Sequence, residues 1–205
     1  YSTYGGQLFG GWADDDERRS VGLSVDFLST AGNYPWLDDK GTLFDASDDE
    51  EVTRQNNASR RFSALLTARH ALGKSCGLRL LDHFSWKERG LPGPASRATT
   101  ETRYRRVSNL TALGLRCQRR AKWRLDVNAG FRYLASRGED PKGELYLKPT
   151  DGERLAWTPS LRATWGMSLS RLFRLGVHLE GAHERFRWRD LLDGSGADTH
   201  RMRGA

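Results

Sequence analysis

Apolar and polar residues alternate along several stretches of this chain, most clearly over residues 123–136. One parity of that stretch is apolar: Trp123, Leu125, Val127, Ala129, Phe131, Tyr133 and Ala135. The other parity is polar or glycine, and only Leu134 departs from it. Because successive side chains of a strand point to opposite faces, the pattern predicts a β-strand with one apolar and one polar face. A protein core and a lipid bilayer would produce the same alternation.

The same test along the whole chain predicts eight strands. They cover residues 4–13, 19–28, 60–72, 77–87, 107–117, 123–136, 155–167 and 172–187. Asp82 interrupts the apolar parity of the fourth strand. Pro159 has no N–H to donate to a ladder, so we expect the seventh strand to lie at an edge or to be weakened there.

The connections between these strands alternate in length. Short polar turns are predicted at 14–17, 73–76, 119–122 and 168–171, and longer segments at 29–59, 89–99, 137–151 and from 191 onward. Short turns at one end and long loops at the other are typical of outer-membrane barrels. Aromatic residues lie near the strand ends on the apolar parity, as in the girdles of such barrels: Trp12, Phe27, Phe62, Trp86, Trp123, Tyr133, Trp157 and Trp165.

These patterns predict an all-β fold, an antiparallel up-and-down transmembrane β-barrel of which the chain supplies about eight strands. We expect residues 1–205 to form one partial barrel domain, with neither a plug domain nor a signal peptide. No run of 18 apolar residues is present, which excludes a transmembrane helix but not membrane strands of about 10 residues.

Composition and charge narrow the function classes. Hydrophobic residues make up 37% of the 205 residues, charged residues make up 29%, and the formal net charge is +7. Aromatic residues at regular spacing argue against disorder. Seven arginines fall on the polar parity of the strands: Arg69, Arg79, Arg116, Arg124, Arg132, Arg162 and Arg174. They would either line a positive interior that meets an anionic surface or solute, or pair with Asp82, Asp126 and Glu180 on neighbouring strands.

Three loop motifs carry a resemblance to a known family. They read GNYPWLDDKGT at 32–42, RQNN at 54–57 and ERGLPGP at 88–94. In this order and spacing they resemble the barrel of TonB-dependent outer-membrane receptors, and the resemblance extends from about Leu8 to Arg189. It implies a barrel of about 22 strands around an N-terminal plug, of which this chain would be a part.

The family resemblance also implies location, partners and ligand class. Such receptors lie in the bacterial outer membrane, contact its lipid, engage TonB through the plug and import a scarce nutrient such as a siderophore or corrinoid. Tyr34, Trp36 and Arg89 in the long loops are the expected ligand contacts, because loops above a barrel meet the ligand first. Loop composition does not identify the ligand.

Metal and cysteine chemistry are the remaining candidates. The acids Asp38, Asp39, Asp48 and Asp49 suit calcium, although their spacing does not match an EF-hand and a solvated loop is the simpler interpretation. No resident cofactor is expected. His178 and His183 would face opposite sides of one strand, so they predict no shared metal. Cys76 and Cys117 share a parity and one sheet end, and would be either a disulfide or two free thiols.

The chain carries no catalytic constellation or phosphate-binding glycine loop, so we do not expect an enzyme. Two alternatives to a receptor fragment stay open. One is a complete eight-stranded outer-membrane protein with a structural or adhesive role, because eight strands can close alone. The other is a soluble basic β-protein that binds nucleic acid, although no nucleic-acid-binding motif accompanies the charge and we expect no such partner.

Overall fold

The computed structural model describes residues 2–40, 42, 44–93, 98–119, 122–170 and 173–204. Gly41 and Pro94 of the loop motifs, and Leu172 at the start of the eighth predicted strand, lie outside these ranges. The strands in chain order are β1 (Thr3–Ala13), β2 (Arg19–Thr30), β3 (Pro35–Asp38), β4 (Glu50–Thr53), β5 (Ser59–Leu72), β6 (Cys76–Gly90), β7 (Arg103–Arg119), β8 (Trp123–Asp140), β9 (Thr150–Ser168), β10 (Arg174–Asp190) and β11 (Gly196–Gly204). Within the described ranges, no helix has the length and apolar character needed to cross a membrane.

Nine strands form one antiparallel sheet in the order β1-β2-β5-β6-β7-β8-β9-β10-β11, while β3 and β4 pair separately as a small hairpin. Each strand of the large sheet therefore pairs with its sequence neighbour, apart from the hairpin inserted between β2 and β5. This confirms the all-β, antiparallel, up-and-down prediction. The described pairings do not join β1 to β11, so the sheet is open.

The predicted strand count was too low at two places. Residues 29–59 were expected to be one irregular loop, yet they contain the β3–β4 hairpin. The segment from 191 onward was expected to be a long loop, yet a turn at 191–195 leads directly into β11. Both parities of β11 are largely polar, so no alternation indicated it.

The register places the apolar parity of every predicted strand on one face of the sheet. One row crosses five strands through the partners Leu78, Leu115, Val127, Ala163 and Leu179. The opposite parity forms a polar face. The alternation read from single strands thus adds up across the sheet into one continuous apolar surface.

No second layer of the described chain covers that apolar surface. Leu8 is 73% exposed, Leu179 is 62% exposed and Trp12 is 59% exposed. Within the described ranges, Cys117 is the only buried hydrophobic residue. The sheet is a single layer, whereas a soluble sheet would bury its apolar face against another element.

Aromatic side chains lie towards both ends of the apolar face. Phe27, Phe62 and Trp86 are consecutive cross-strand partners towards one end. On β8, Trp123 and Tyr133 are ten residues apart, which is about 34 Å along a strand. At a tilt of about 40–45° this corresponds to a band about 25 Å tall, the height typical of the apolar band of membrane barrels.

Pro159 does not place β9 at an edge but weakens its pairing locally, which is the second of the two expectations from the sequence. The strand lies between β8 and β10 and pairs with both. The missing N–H interrupts the ladder locally. The pairing of β9 with β10 skips two positions, Pro159 opposite His183 and Thr158 opposite Glu184. The long strand tolerates this gap because the ladder continues on both sides of it.

Asp82 lies on the apolar face, so it does not pair with the arginines of the polar face. Its carboxylate accepts hydrogen bonds from Asn109 Nδ2 at 3.1 and 3.3 Å and from Thr111 Oγ1. Both partners lie on the same parity of β7, which explains why this strand had the least regular alternation. The three side chains form a polar patch in which the carboxylate is satisfied locally.

Cys76 and Cys117 are direct cross-strand partners at the start of β6 and the end of β7. The structure joins them in a disulfide with a Cα–Cα distance of 4.1 Å, and the described chain has no free cysteine. Of the two alternatives for these residues, the structure contains the pairing. The bond lies beside the 73–75 turn and joins β6 to β7 covalently at that end.

Candidate ligand-binding site

The strand ends joined by the three long connections, β2 to β5, β6 to β7 and β8 to β9, all lie at the same end of the sheet, here called the long-loop end. The opposite end carries the short connections from β1 to β2, β5 to β6, β7 to β8 and β9 to β10 and is called the short-turn end. The predicted segregation of long and short connections is therefore present, with the tight 191–195 turn as the exception at the long-loop end. Any site formed by loops must lie at that end.

The first two loop motifs contact each other directly. Gly32 has a φ of +62° and lies so close to Asn57 that a Cβ would come within 2.1 Å of the Asn57 carbonyl oxygen. Asn57 Nδ2 in turn donates to the Gly32 carbonyl at 3.2 Å. Only glycine fits this left-handed, closely approached position without displacing the chain.

Asn56 connects the second motif to the third. Its Nδ2 donates to the Thr102 carbonyl at 2.7 Å, to Thr99 Oγ1 at 3.0 Å and to the Leu91 carbonyl at 3.3 Å. A Cβ on Gly90 would lie 2.2 Å from the Asn56 carbonyl oxygen, so this backbone approach requires glycine. Thr99 and Thr102 are fully buried in the contact.

Arg54 completes the link between the motifs. Its Nη2 donates to the Gly93 carbonyl, and its guanidinium lies 5.2 Å from the centre of the Trp36 ring. The backbone N–H of Arg54 donates to the Tyr34 carbonyl at 2.9 Å. Residues of the three motifs therefore form one scaffold, which explains physically why they occur together.

Asp140, at the end of β8, holds the β8–β9 connection, residues 141–149, here called the third loop. The residue is 1% exposed, and its carboxylate accepts from the backbone N–H groups of Glu144, Leu145 and Tyr146 at 2.7, 2.8 and 3.2 Å. Thr102 Oγ1 also donates to it at 3.2 Å. Burial alone would raise the pKa of Asp140, but these hydrogen bonds outweigh burial and hold the pKa below its usual range.

Glu144 connects the third loop to the loop between β6 and β7, here called the second loop. Its carboxylate accepts from the backbone N–H groups of Glu101 and Thr100, from Thr100 Oγ1 and from Thr102 Oγ1. These bonds, led by the one from the Glu101 N–H, lower the pKa of Glu144 to about 2. The carboxylate is therefore ionised at neutral pH, and it holds the two loops together.

A cavity of about 360 Å³ opens beneath this scaffold on the polar face of the sheet. Its floor comes from β7 to β10, where Gly138 and Gly152 are direct cross-strand partners. Because neither glycine has a side chain, space remains that a larger residue would fill; nothing lies within 4 Å of a Cβ built on Gly138. The walls include Tyr104, Asp140, Tyr146, Arg154, Trp188 and Asp190.

The cavity combines flat apolar surfaces with charged groups. Tyr104, Tyr146 and Trp188 offer aromatic faces and polar tips, and Arg154 offers a planar cation. Such a mixture suits a small ligand that has both a ring or chain and an anionic or polar group. The volume is at the low end of the range for small-molecule sites.

The residues predicted as ligand contacts do not line the cavity. Arg89 contacts a lining residue, with its guanidinium 5.7 Å from the centre of the Tyr104 ring. Trp36 lies in β3 and contacts Arg54, and Tyr34 immediately precedes that strand. Contact of these three residues with a ligand stays a prediction.

Sequence reasoning missed the aromatic residues of the cavity. Tyr104 and Trp188 lie on the polar parity of β7 and β10, close to the strand ends at the long-loop end. An aromatic side chain on the polar parity was the available signal. Tyr146 could not be found in this way, because the Asp140 hydrogen bonds and not an alternating pattern determine its position.

The acidic loop makes local contacts. Asp38 Oδ1 accepts from the Lys40 backbone N–H at 3.1 Å, and Asp48 Oδ1 accepts from Thr42 Oγ1 at 2.7 Å. Across residues 44–93 and the other described ranges, no group of three or more His, Cys, Asp or Glu side chains is arranged to hold a metal ion. The calcium alternative for Asp38, Asp39, Asp48 and Asp49 therefore gains no support.

Part of the arginine row on the polar face is paired. Arg116 and Arg124 both contact Asp126, and Arg162 contacts Glu180 at 2.9 Å. Arg69 and Arg79 are direct cross-strand partners, and neither has an ion pair within the described part of the chain. Pairing with a carboxylate is therefore confirmed for Arg116, Arg124 and Arg162, whereas contact of the row with an anionic surface or solute stays a prediction.

No protein-family model and no curated protein matches the chain. Among solved structures, the chain is similar to the ferric yersiniabactin uptake receptor FyuA from Yersinia pestis, with a TM-score of 0.50 and 15% identity. The match covers 99% of this chain and 33% of that one, so the chain spans about a third of the length of the receptor. At this identity the similarity shows the fold, that of a segment of a β-barrel wall.

Proposed function

We propose that this chain forms part of the wall of an outer-membrane receptor that captures a small nutrient for energised uptake. The observation that carries the proposal is that apolar side chains are exposed while polar side chains are buried. The apolar face of a nine-stranded sheet is exposed, while the loops at one end bury polar groups and cover a cavity on the other face. Lipid is the medium that suits such an apolar face.

The ligand class follows from the cavity and from the family that the loop motifs resemble. Three aromatic residues with Arg154 favour a compact ligand that carries an anionic or polar group, such as a metal-chelate nutrient. The fold is similar to that of FyuA, a ferric yersiniabactin uptake receptor, which is consistent with uptake of such a ligand. Coupling to TonB through a plug belongs to the same proposal and rests on the loop-motif resemblance.

Location is tested by fractionation and by quenching. We expect the protein in the outer-membrane fraction, and we expect brominated lipids to quench the fluorescence of tryptophans on the apolar face, among them Trp123 and Trp165. Recovery in the soluble fraction, with binding to nucleic acid that weakens as salt rises, would instead support the basic β-protein alternative.

Uptake is tested with a strain that lacks the gene. We expect loss of uptake for at least one compound in a panel of labelled ferric chelates and corrinoids, and the same loss when the membrane is de-energised. Complementation with Trp188→Ala or Arg154→Ala should restore protein level but not full uptake. Arg132→Ala, on the same face but outside the cavity, is the matched control. Unchanged uptake of every compound in the deletion strain would refute the transport role.

A further inference from the structure

We infer that His183 and His200 form a binding site for a divalent transition-metal ion on the apolar side of the β10–β11 ladder. The inference is independent of the proposed uptake function. His183 Nε2 and His200 Nδ1 face each other across the two strands at 3.3 Å. Two imidazole nitrogens bound to one tetrahedral zinc ion at 2.0–2.1 Å are separated by about 3.3–3.4 Å, so the spacing already suits the metal.

The register produces this pair although the two residues are 17 positions apart. His200 is the direct partner of Arg185, and His183 is the direct partner of Met202. The histidines are therefore diagonal neighbours on one face of an antiparallel ladder. His178, which lies on the opposite face, cannot take part.

Asp198 supplies a second-shell contact of the kind common at metal sites. His200 Nε2 lies 3.5 Å from Asp198 Oδ1, so a proton on Nε2 leaves the Nδ1 lone pair directed at His183. Arg185 holds the same carboxylate through Nε and Nη2. This arrangement favours the tautomer of His200 that a metal ion requires.

The surroundings of His183 restrain the ring without blocking it. The Trp157 ring packs edge-on against it, with centroids 5.4 Å apart and planes inclined by 73°. His183 also lies opposite Pro159, where the β9–β10 pairing is interrupted, so a small adjustment of this residue breaks no bond of the β9–β10 ladder. Metal can thus replace the hydrogen bond between the two imidazoles.

The metal class follows from the ligands. Imidazole nitrogens suit zinc, copper and nickel, and not calcium or magnesium. Two protein ligands leave the remaining positions of the ion for water, because no third His, Cys, Asp or Glu completes a cluster within the described ranges. His200 lies in the same cross-strand row as Trp157 and Tyr133, at the border of the apolar band, and its side chain is 52% exposed, so an ion can reach it from the water at that border.

Titration calorimetry of the tag-free protein in detergent with zinc chloride tests the inference. We expect one saturable zinc per chain, at least tenfold weaker binding for His183→Gln and for His200→Gln, and about tenfold weaker binding for Asp198→Asn. His178→Gln is the matched control and should bind zinc as the unchanged protein does. Circular dichroism and the heat-dependent shift in electrophoretic mobility report whether each variant is folded.

A second measurement does not depend on the variants. Copper(II) added to the unchanged protein should give an electron paramagnetic resonance spectrum with hyperfine splitting from two nitrogens. Absence of saturable zinc binding, equal loss of affinity in His178→Gln, or a copper spectrum with oxygen ligands alone would each overturn the inference.

Discussion

The long-loop end and the middle of the sheet differ in what they bury. At the long-loop end the fully buried side chains are polar, Thr99, Thr102 and Asp140, and each has hydrogen-bond partners. In the middle of the sheet the apolar side chains are exposed, as at Leu161 and Leu179. A soluble protein has the reverse arrangement.

This difference shows that two kinds of force hold the two regions. The loops bury little apolar surface, so the hydrogen bonds that Asn56 donates and that Asp140 and Glu144 accept determine their conformation. The sheet is held by its backbone ladder, and its apolar face gains free energy only from a medium outside the described chain. Substitutions should therefore have opposite consequences in the two regions.

Removing the Asp140 carboxylate should have the largest effect. Asp140→Ala leaves three backbone N–H groups of the third loop without their acceptor, and we expect a loss of about 3 to 5 kcal/mol in the free energy of local opening. Hydrogen exchange of residues 141–149 measures it. Asp140→Asn, which keeps one acceptor oxygen, should lose less. Equal exchange in all three proteins would show that the loop is held by other contacts.

An arginine introduced on the apolar face of β9 should lower the unfolding free energy more than one introduced on its polar face. Ala163→Arg places a guanidinium in the middle of the apolar face, and in lipid we expect a loss of about 2 to 4 kcal/mol in unfolding free energy. Thr164→Arg is the control, because the new side chain lies on the polar face beside Asp126. Urea unfolding in vesicles measures both. Equal losses would contradict the assignment of the apolar face to lipid.

A methyl group on Gly90 should disturb the loops and leave the sheet intact. Its Cβ would lie 2.2 Å from the Asn56 carbonyl oxygen, so we expect a loss of about 1 to 3 kcal/mol in loop stability for Gly90→Ala. Gly10→Ala is the matched control, because nothing lies within 4 Å of its Cβ. Protease cleavage within residues 91–93 and 98–102 reports the outcome. Faster cleavage of both variants would indicate a general effect of alanine and not this contact.

Lowering the pH should have the smallest effect on the contact between the second and third loops. The pKa of Glu144 is lowered from 4.5 to about 2 in the folded protein, so its contribution is complete above pH 4.5 and is lost as pH falls towards 2. We expect amide exchange at Thr100 and Glu101, corrected for its intrinsic pH dependence, to accelerate over that interval. Glu144→Gln should abolish the dependence. A transition at higher pH would assign it to another group.

The strand prediction succeeded where the two faces differ in polarity and failed where they do not. The β8 strand was expected to end at Ser136, but it continues to Asp140 through Arg137, Gly138 and Glu139. Between Ser136 and the long-loop end neither face of the strand is apolar, so no alternation marks the continuation of the ladder. The same reason explains why β11 was missed.

The candidate site was predictable only in part. The loop motifs indicated the correct end of the molecule, and Arg89 lies beside the cavity that the structure contains. Tyr104, Arg154 and Trp188 come together from three strands, and the register between those strands is not encoded in the alternation of any one of them. The same limit concealed the His183–His200 pair.

The amino-acid sequence by itself determined which strands have two unlike faces and which connections are short. These are local properties, because a period of two is set by neighbouring residues in one strand. Only the tertiary structure decided which residues become neighbours across strands: the Cys76–Cys117 bond, the contacts among the three loop motifs and the polar-face cavity. Those contacts depend on the registers of many ladders and on glycine positions that allow backbones to approach, and both are properties of the assembled sheet.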